Sequence, residues 1–416
     1  MIFQIKEIPE TVGLGTTLEI MTTDISYFTH GFFKYPCKFI PQVPRWAILK
    51  YTKEGDFVLD PFSGSGTTLV EAVLNKRNAL AVDFDKLSQL LCETKTSPLS
   101  AKQLNTLKQI RLELFNTDNK DKSFSPDLHN TDHWFSPENI RELRILRGNI
   151  IKLNSKINDR AINSFLLVCF ASIIKKTSFT DDTSPKPYVS KRIKKVPASV
   201  RDAFLKAFDT NISNLEKYID VKMGKSILIS EDAREINAPE YKNQVTLAVT
   251  SPPYINAFDY VRVLRLENAW LGFYGDSNIT DVKKNQIGTE NIPVKEYGVG
   301  VNKMGIKILD NLLEKIAERD KKRAYVVYKY FMDMSKNFKE IKRLLKSNGH
   351  YVVVVGDSKI KDINVPTKDI FIEIAEINGF KLSNYFSYII KNRYLRIPRS
   401  GRGGFIDKDW IIDLVK

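Results

Sequence analysis

The string Asp60-Pro-Phe-Ser-Gly-Ser-Gly-Thr-Thr68 constrains this chain more than any other feature. It follows a short apolar run, Asp56-Phe-Val-Leu-Asp60, and leads into Leu69-Val-Glu-Ala-Val-Leu74, which reads as a helix. Asn78-Ala-Leu-Ala-Val-Asp83 reads as the next strand, again ending in an acid. Strand, small-residue turn, helix and strand at this spacing form a βαβ unit, and its strands must lie parallel. Gly64 and Gly66 let the backbone turn tightly and approach a ligand with no Cβ in the way. The turn opens onto a helix N-terminus, where free amides hold polar or anionic groups. Thr67 stands where a phosphate-binding loop would need its lysine, which argues against ATP or GTP.

Asp60, Phe62, Gly64, Gly66, Thr67 and Thr68 are therefore candidate cofactor contacts. Asp83, at the end of the second strand, is placed to accept the ribose hydroxyls of a nucleoside cofactor, with Asp85 a nearby substitute. Such an acid is common to dinucleotide and S-adenosylmethionine sites and does not separate them. A third strand, Ser226-Ile-Leu-Ile-Ser230, is followed by Glu231-Asp232. Asp232 would lie at the same sheet edge and could bind an adenine amino group.

The fourth strand, Gln244-Val-Thr-Leu-Ala-Val249, runs into Thr250-Ser-Pro-Pro-Tyr254. Adjacent prolines forbid helix there and hold Ser251 extended. A rigid loop with a serine oxygen, unpaired carbonyls and an aromatic ring suits a planar base bearing an exocyclic amine. Such an amine is a poor nucleophile because its lone pair is delocalised into the ring. Acceptors from Ser251 and the Pro252 carbonyl would draw its two protons, and the lone pair would turn towards a methyl donor. Tyr254 would stack on the base, with Pro253 completing the loop. Catalysis is then positioning and electrostatics, with the reactive methyl supplied by the cofactor. The base must leave the duplex to enter such a pocket.

The rest of the chain frames these motifs. A helix is expected over 260–271, a loop excursion over 275–305, and a long amphipathic helix from Ala324 to Leu345 that Ser347-Asn-Gly349 ends. A buried strand over 350–355, a helix over 366–378 and two last strands, 380–390 and 410–415, which could pair as a hairpin, complete the count. The predicted fold is a doubly wound α/β sheet of seven mostly parallel strands with a helical insertion. We expect residues 1–100 to hold the cofactor motif, 101–222 to form a mainly helical insertion, and 223–416 to complete the sheet domain with a 275–320 excursion.

Charge bears on the partner. The chain carries a net +15, which favours a polyanion, nucleic acid first. Residues 101–222 hold 22 Lys+Arg against 14 Asp+Glu. Within them Lys191, Arg192, Lys194 and Lys195 form one basic candidate; a second is the stretch 391–402, with Arg396, Arg399 and Arg402. Such groups hold phosphates and set affinity and salt dependence rather than sequence preference. Three isolated cysteines and four scattered histidines argue against a disulfide framework or a metal site. No stretch approaches about 20 apolar residues, so no membrane span is expected. The N-terminus lacks a signal-peptide pattern, and the expected compartment is the cytoplasm.

The combination of Asp60–Thr68 and Ser251–Tyr254 resembles the amino-methyltransferases of bacterial restriction–modification systems. His30-Gly-Phe-Phe-Lys-Tyr-Pro-Cys-Lys-Phe39, followed by Ile40-Pro-Gln-Val-Pro44, is similar to the segment preceding the cofactor motif in one subgroup, and Val354-Val-Gly-Asp-Ser358 resembles its fifth-strand region. The resemblance covers roughly 25–95, 226–272 and 325–415. It implies S-adenosyl-L-methionine as cofactor, double-stranded DNA as substrate and a cognate restriction endonuclease acting separately on the same site. Serine at the first catalytic position is typical of the N4-cytosine enzymes, whereas Asp or Asn is typical of the N6-adenine ones, so Ser251 favours N4-methylcytosine. The chain departs from the usual layouts in placing its large insertion before Asp232, which leaves target recognition to the insertion, the 275–320 excursion, or both. An N6-adenine enzyme, an RNA amino-methyltransferase and an inactive nucleic-acid-binding module of this fold are the alternatives.

Overall fold

The computed structural model describes residues 3–22, 25–115, 124–192, 194–255, 259–298, 300–390 and 407–416. Its first half runs β1 (Phe3–Ile5), β2 (Thr17–Ile20), α1 (Gln42–Tyr51), β3 (Phe57–Asp60), α2 (Thr67–Leu74), β4 (Asn78–Val82) and α3 (Lys86–Thr96). Five helices follow: α4 (Ala101–Ile110), α5 (Thr131–Trp134), α6 (Pro137–Ile157), α7 (Arg160–Ile174) and α8 (Val200–Glu216). The chain returns through β5 (Ser226–Ser230), β6 (Val245–Thr250), α9 (Tyr260–Val263), α10 (Arg265–Leu271), α11 (Ile279–Asn285), α12 (Val294–Tyr297), α13 (Lys307–Arg319) and α14 (Lys321–Leu344). It closes with β7 (Leu345–Val355), β8 (Ser358–Ile360), β9 (Ile363–Val365), α15 (Thr367–Ile377), β10 (Lys381–Ile389) and β11 (Lys408–Val415).

One sheet organises the molecule, in the order β1-β2-β10-β11-β7-β6-β3-β4-β5. Its pairings are parallel except around β11, which runs antiparallel to both β7 and β10. β3 is flanked by β6 and β4, so the chain reverses its winding direction there, and ligands of open α/β sheets bind at such a switch point. The expected α/β class and mostly parallel sheet are present.

Strand number differs from the expectation. Nine strands, not seven, form the sheet among the described residues, because β1 and β2 add to the β10 edge. Phe-Gln-Ile and Thr-Leu-Glu-Ile alternate apolar and polar residues, but over so few positions that only the edge they meet makes them strands. Ser347-Asn-Gly349 does not end α14. The helix stops at Leu344, and Asn348, with φ of 59°, lies within β7, where the register with β6 slips between Val245 and Leu247. The 275–305 excursion is partly helical, and α13 packs Leu309, Leu312, Leu313 and Ile316 against α14. The expected helix over 260–271 is broken at Leu264 into α9 and α10.

Two hydrophobic layers cover the sheet. One joins α14, α13 and α15 to β3, β6 and β7, through residues such as Phe331, Phe338 and Phe371. The other, through α1 and α2, buries Val43, Ile48, Val58 and Val249. The helical segment is not a detached body. α7 is buried along most of its length and shares one core with Leu87 and Leu91 of α3 and Trp270 of α10. Burial of this scale, at about 25 cal/mol per Å² of apolar surface, ties the segment to the flank of the sheet.

Candidate active site

The site is assembled at the carboxyl ends of β4, β3 and β6. Gly64 and Gly66 take φ of 48° and 75°, a region that side chains with a Cβ resist. A Cβ on Gly66 would also press on the Cα and sulfur of Cys92 at 3.4 Å. The turn is sewn to its neighbours by short bonds. Ser63 Oγ donates to the Asp60 carbonyl (2.8 Å) and accepts from the Val82 amide (3.1 Å). The buried Lys95 ammonium donates to the Ser65 carbonyl (2.5 Å). Burial lowers the pKa of that lysine to about 7.

Two acids expected here have different places. Asp83 stands half-buried at the end of β4, and its Oδ2 accepts from the Gly64 amide (2.7 Å), so turn and acid are linked. Burial, with Asp85 repelling it, raises its pKa to about 7. Asp85 is consumed internally: it caps α3 through the Ser88 amide (2.9 Å) and accepts from Tyr274 (3.1 Å) and Asn268 (3.3 Å). Asp83 is therefore the more exposed of the two, though its Oδ1 also accepts from the Asp85 amide (2.9 Å).

Asp60, Thr67 and Thr68 do not present side chains to a ligand. Asp60 is 1% exposed; Thr250 Oγ1 donates to it (2.6 Å), as does the Phe62 amide (3.0 Å). Burial raises its pKa to about 6. The Thr67 and Thr68 side chains are buried, and Thr68 Oγ1 reaches the Val249 carbonyl (3.4 Å). The sequence makes these residues candidate contacts; the fold turns their side chains inward, so that they fasten α2 and the turn to β6. Phe62 is partly buried against the α14 side of the core.

The catalytic-type loop leaves β6 through Thr250, whose hydroxyl binds Asp60. The glycine turn and the Ser251 loop are thus fixed to one another across adjacent strands. Ser251, Pro253 and Tyr254 are half-buried and Pro252 is buried. The Tyr254 hydroxyl donates to Oδ1 of Asp409 (2.8 Å). Tyr388 donates to the other Asp409 oxygen (2.8 Å). Asp409 is buried at the start of β11, and burial raises its pKa.

Sequence reasoning missed Asp409 and two rings. Tyr35, in the segment 30–39, packs beside Gly64, bonds Ser88 Oγ (3.0 Å) and stacks with Tyr260 at 6.2 Å between centroids. The segment was singled out, but nothing in it marked Tyr35 as the residue against the turn. Nothing in the sequence singled out Asp409, which shares its strand with Lys408 and a second acid, Asp413.

Asp232 sits beyond β5 with both oxygens held by Arg234, at 2.8–3.2 Å. An adenine amine there would have to compete with that guanidinium. Lys191, Arg192 and Lys194 are exposed. Lys195 is not a free phosphate group: its ammonium binds Asp182 (2.9 Å) and the carbonyls of Lys175 (2.8 Å) and Thr180 (3.1 Å), closing its own loop. The stretch 391–402, with Arg396, Arg399 and Arg402, lies outside the described residues. Among the described residues, no helix is long and apolar enough to cross a membrane.

Against known proteins, residues 15–89 match the DNA methylase family of N6/N4 methyltransferases. The chain is 26% identical to the Type II methyltransferase M.MvaI of Kocuria varians over 92% of its own length and 88% of that protein's. It is 23% identical to the Type II methyltransferase M.AvaI of Nostoc sp., over 85% and 79%. A solved SAM-dependent methyltransferase from Methanosarcina mazei aligns over 89% of this chain and 96% of that one, at 9% identity and a TM-score of 0.31.

Proposed function

We propose that this chain, which is similar to Type II methyltransferases, transfers a methyl group from S-adenosyl-L-methionine to an exocyclic amine of a base in double-stranded DNA, and that the target is N4 of cytosine. The observation that carries the reading is the bond from Thr250 to Asp60, which fixes the Ser-Pro-Pro-Tyr loop beside the glycine turn. A donor site and an acceptor site must be held in register for direct transfer, because alignment is most of what such a reaction needs.

The residues present fit the cofactor. Gly64 and Gly66 hold the turn at positive φ, the half-buried Asp83 accepts from the Gly64 amide, and the Tyr35 ring lies beside Gly64. Asp83 would accept the ribose hydroxyls, and the turn amides would hold polar groups near the start of α2. When bound, S-adenosyl-L-methionine supplies a methyl group activated by its sulfonium. Ser251 Oγ and the Pro252 carbonyl accept hydrogen bonds from the target amine and localise its lone pair, while the Tyr254 ring supports the flipped base.

The choice of cytosine rests on Ser251, the residue type of the N4 enzymes that the motif resembles. Residues 101–222, the 275–320 excursion, or both would read the target, with Lys191, Arg192, Lys194 and the arginines of 391–402 holding phosphates. A restriction endonuclease of the same site is the activity such methylation would block. Nucleoside mass spectrometry of plasmid DNA from a methylation-free host expressing the chain tests the reading. N4-methylcytosine is expected. N6-methyladenine would overturn the base assignment and keep the reaction; neither product, from folded and cofactor-binding protein, would overturn DNA methylation.

A further inference from the structure

We propose that the free edge of β5 is a self-association surface, on which a second copy of this chain pairs its own β5 antiparallel about a twofold axis. Self-association of this kind does not depend on the methyltransferase reading of the site. β5 ends the sheet, and among the described residues it pairs only with β4. An edge strand presents a row of open amides and carbonyls, and proteins blunt such edges with short strands, charges or bulges. The opposite edge, β1, is three residues long. β5 has five, Ser-Ile-Leu-Ile-Ser, with no charge among them.

Its apolar side chains are also uncovered. Ile227 and Leu228 are neighbours and so point to opposite faces of the sheet, yet both are exposed, at 48% and 42%. Ile219 and Val221, just before the strand, are exposed as well. Four of the twelve exposed large hydrophobics among the described residues thus fall within 219–228. Scattered singly, such residues are ordinary; gathered along an open edge they mark an interface. The edge is held ready. The Gly224 amide donates to the Val73 carbonyl (2.9 Å), and the Lys225 carbonyl accepts from the Ala79 amide (2.7 Å). A Cβ on Gly224 would collide with the Arg77 carbonyl, so the entry to β5 lies flush against the sheet.

Hydrogen-bond parity and charge select the occupant. The Lys225 carbonyl turns to β4, so alternation along the strand directs both backbone groups of Ser226 and of Leu228 to the free side. In an antiparallel pair, Ser226 of one copy exchanges two bonds with Leu228 of the other, and the reverse. Ile227 then faces its own counterpart at the closer, non-hydrogen-bonded spacing, where apolar side chains meet. A register slip leaves Ile229 without a β4 partner, a bulge that ends the paired stretch. Between 223 and 231 the only charges are Lys225 at the start and Glu231 at the end. Antiparallel pairing sets start against end, so Lys225 of each copy comes beside Glu231 of the other. Glu231 spends Oε1 on Lys86 and Gln89, which leaves Oε2 for that lysine. A parallel partner would bring like charges together instead. The edge is therefore self-complementary, as a twofold dimer requires.

The test is sedimentation velocity of the full chain over a dilution series. A reversible monomer–dimer equilibrium is expected. Ile227→Lys sets two like charges face to face and should weaken the dimer about 100-fold. Leu228→Lys, on the other face, should weaken it less. Both side chains are exposed in the monomer, so Tm should not change. Lys225→Glu and Glu231→Lys should each weaken self-association roughly 10-fold, since each alone puts like charges together at both ends. Mixed with one another, these two variants should dimerise as the unmutated chain does, because every end then meets its opposite.

A chain that is monomeric at every concentration overturns the proposal and leaves the edge to a strand of another protein. A dimer unaffected by Ile227→Lys and Leu228→Lys overturns it too, because the copies then meet elsewhere. Where those variants fail to fold, the charge-swapped pair decides: recovery on mixing upholds the antiparallel pairing, and no recovery overturns it.

Discussion

The glycine turn after β3 and the Ser-Pro-Pro-Tyr loop after β6 end adjacent strands, yet they are held in opposite ways. The turn is fixed by two positive φ angles and by partners close in sequence, Ser63, Asp83 and Lys95. The loop is fixed from outside, by Thr250 on one flank and by Asp409 on the other, 155 residues further along the chain. A cofactor pocket made of backbone needs a shape that survives every turnover. A catalytic loop needs its side chains aimed, and a distant partner can do that without filling the pocket.

The largest effect should come from breaking the turn. Gly66→Val places a β-branched residue at φ of 75° with its Cβ against Cys92, and calorimetry should detect no cofactor binding. Undiminished binding would refute that site. Next, Ser251→Ala should lower kcat about 10²- to 10³-fold, as removal of one preorganised polar contact does, while cofactor affinity persists. Equal activity would sink the role given to Ser251.

Within the cofactor side, Asp83 and Asp85 should separate binding from folding. Asp85→Ala leaves Tyr274 and Asn268 without their buried acceptor and should cost about 2–4 kcal/mol in denaturant unfolding. Asp83→Asn should weaken cofactor binding with little change in stability. The pH dependence has a definite sign. Burial holds the free Asp83 carboxyl near a pKa of about 7, and ribose hydroxyls donate to its ionised form. Affinity should therefore rise as pH increases through 7, with proton release on binding below it, and Asp83→Asn should flatten the profile. A wild-type profile flat from pH 6 to 8 would remove Asp83 from the contact.

The smallest effect concerns DNA. Neutralising Lys191 or Arg192 should each reduce the slope of log affinity against log salt by about 1, the amount expected per lost phosphate contact. Lys195→Ala should instead loosen the loop that its ammonium closes and should alter the slope only indirectly. Identical slopes for all three variants would dismiss that loop as a phosphate surface.

Much of this was legible in the sequence, and unevenly. The βαβ unit at 57–82, β6 with its proline loop and the β10–β11 pair stand where their patterns place them. α13 was also readable, since Leu309, Leu312, Leu313 and Ile316 follow helical spacing, but polar, Gly-containing neighbours masked it. β1 and β2 alternate over only three and four residues, too few to read as strands from sequence.

What the sequence determined by itself is what single residues dictate about their own backbone. Glycines at 64 and 66 permit φ values that other residues resist, and Pro252-Pro253 forbids helix after β6. Those constraints are local, so they survive without knowledge of the fold. Tertiary structure alone decided which polar groups face the cleft. It turned Asp60 and Thr68 inward, left Asp83 half-buried while Asp85 knotted α3 to Tyr274, and brought Asp409 to Tyr254. The physical reason is distance along the chain. A side chain's donor or acceptor role is set by its partner, and partners here lie 155 to 190 residues apart, joined only when the sheet aligns the strands that carry them.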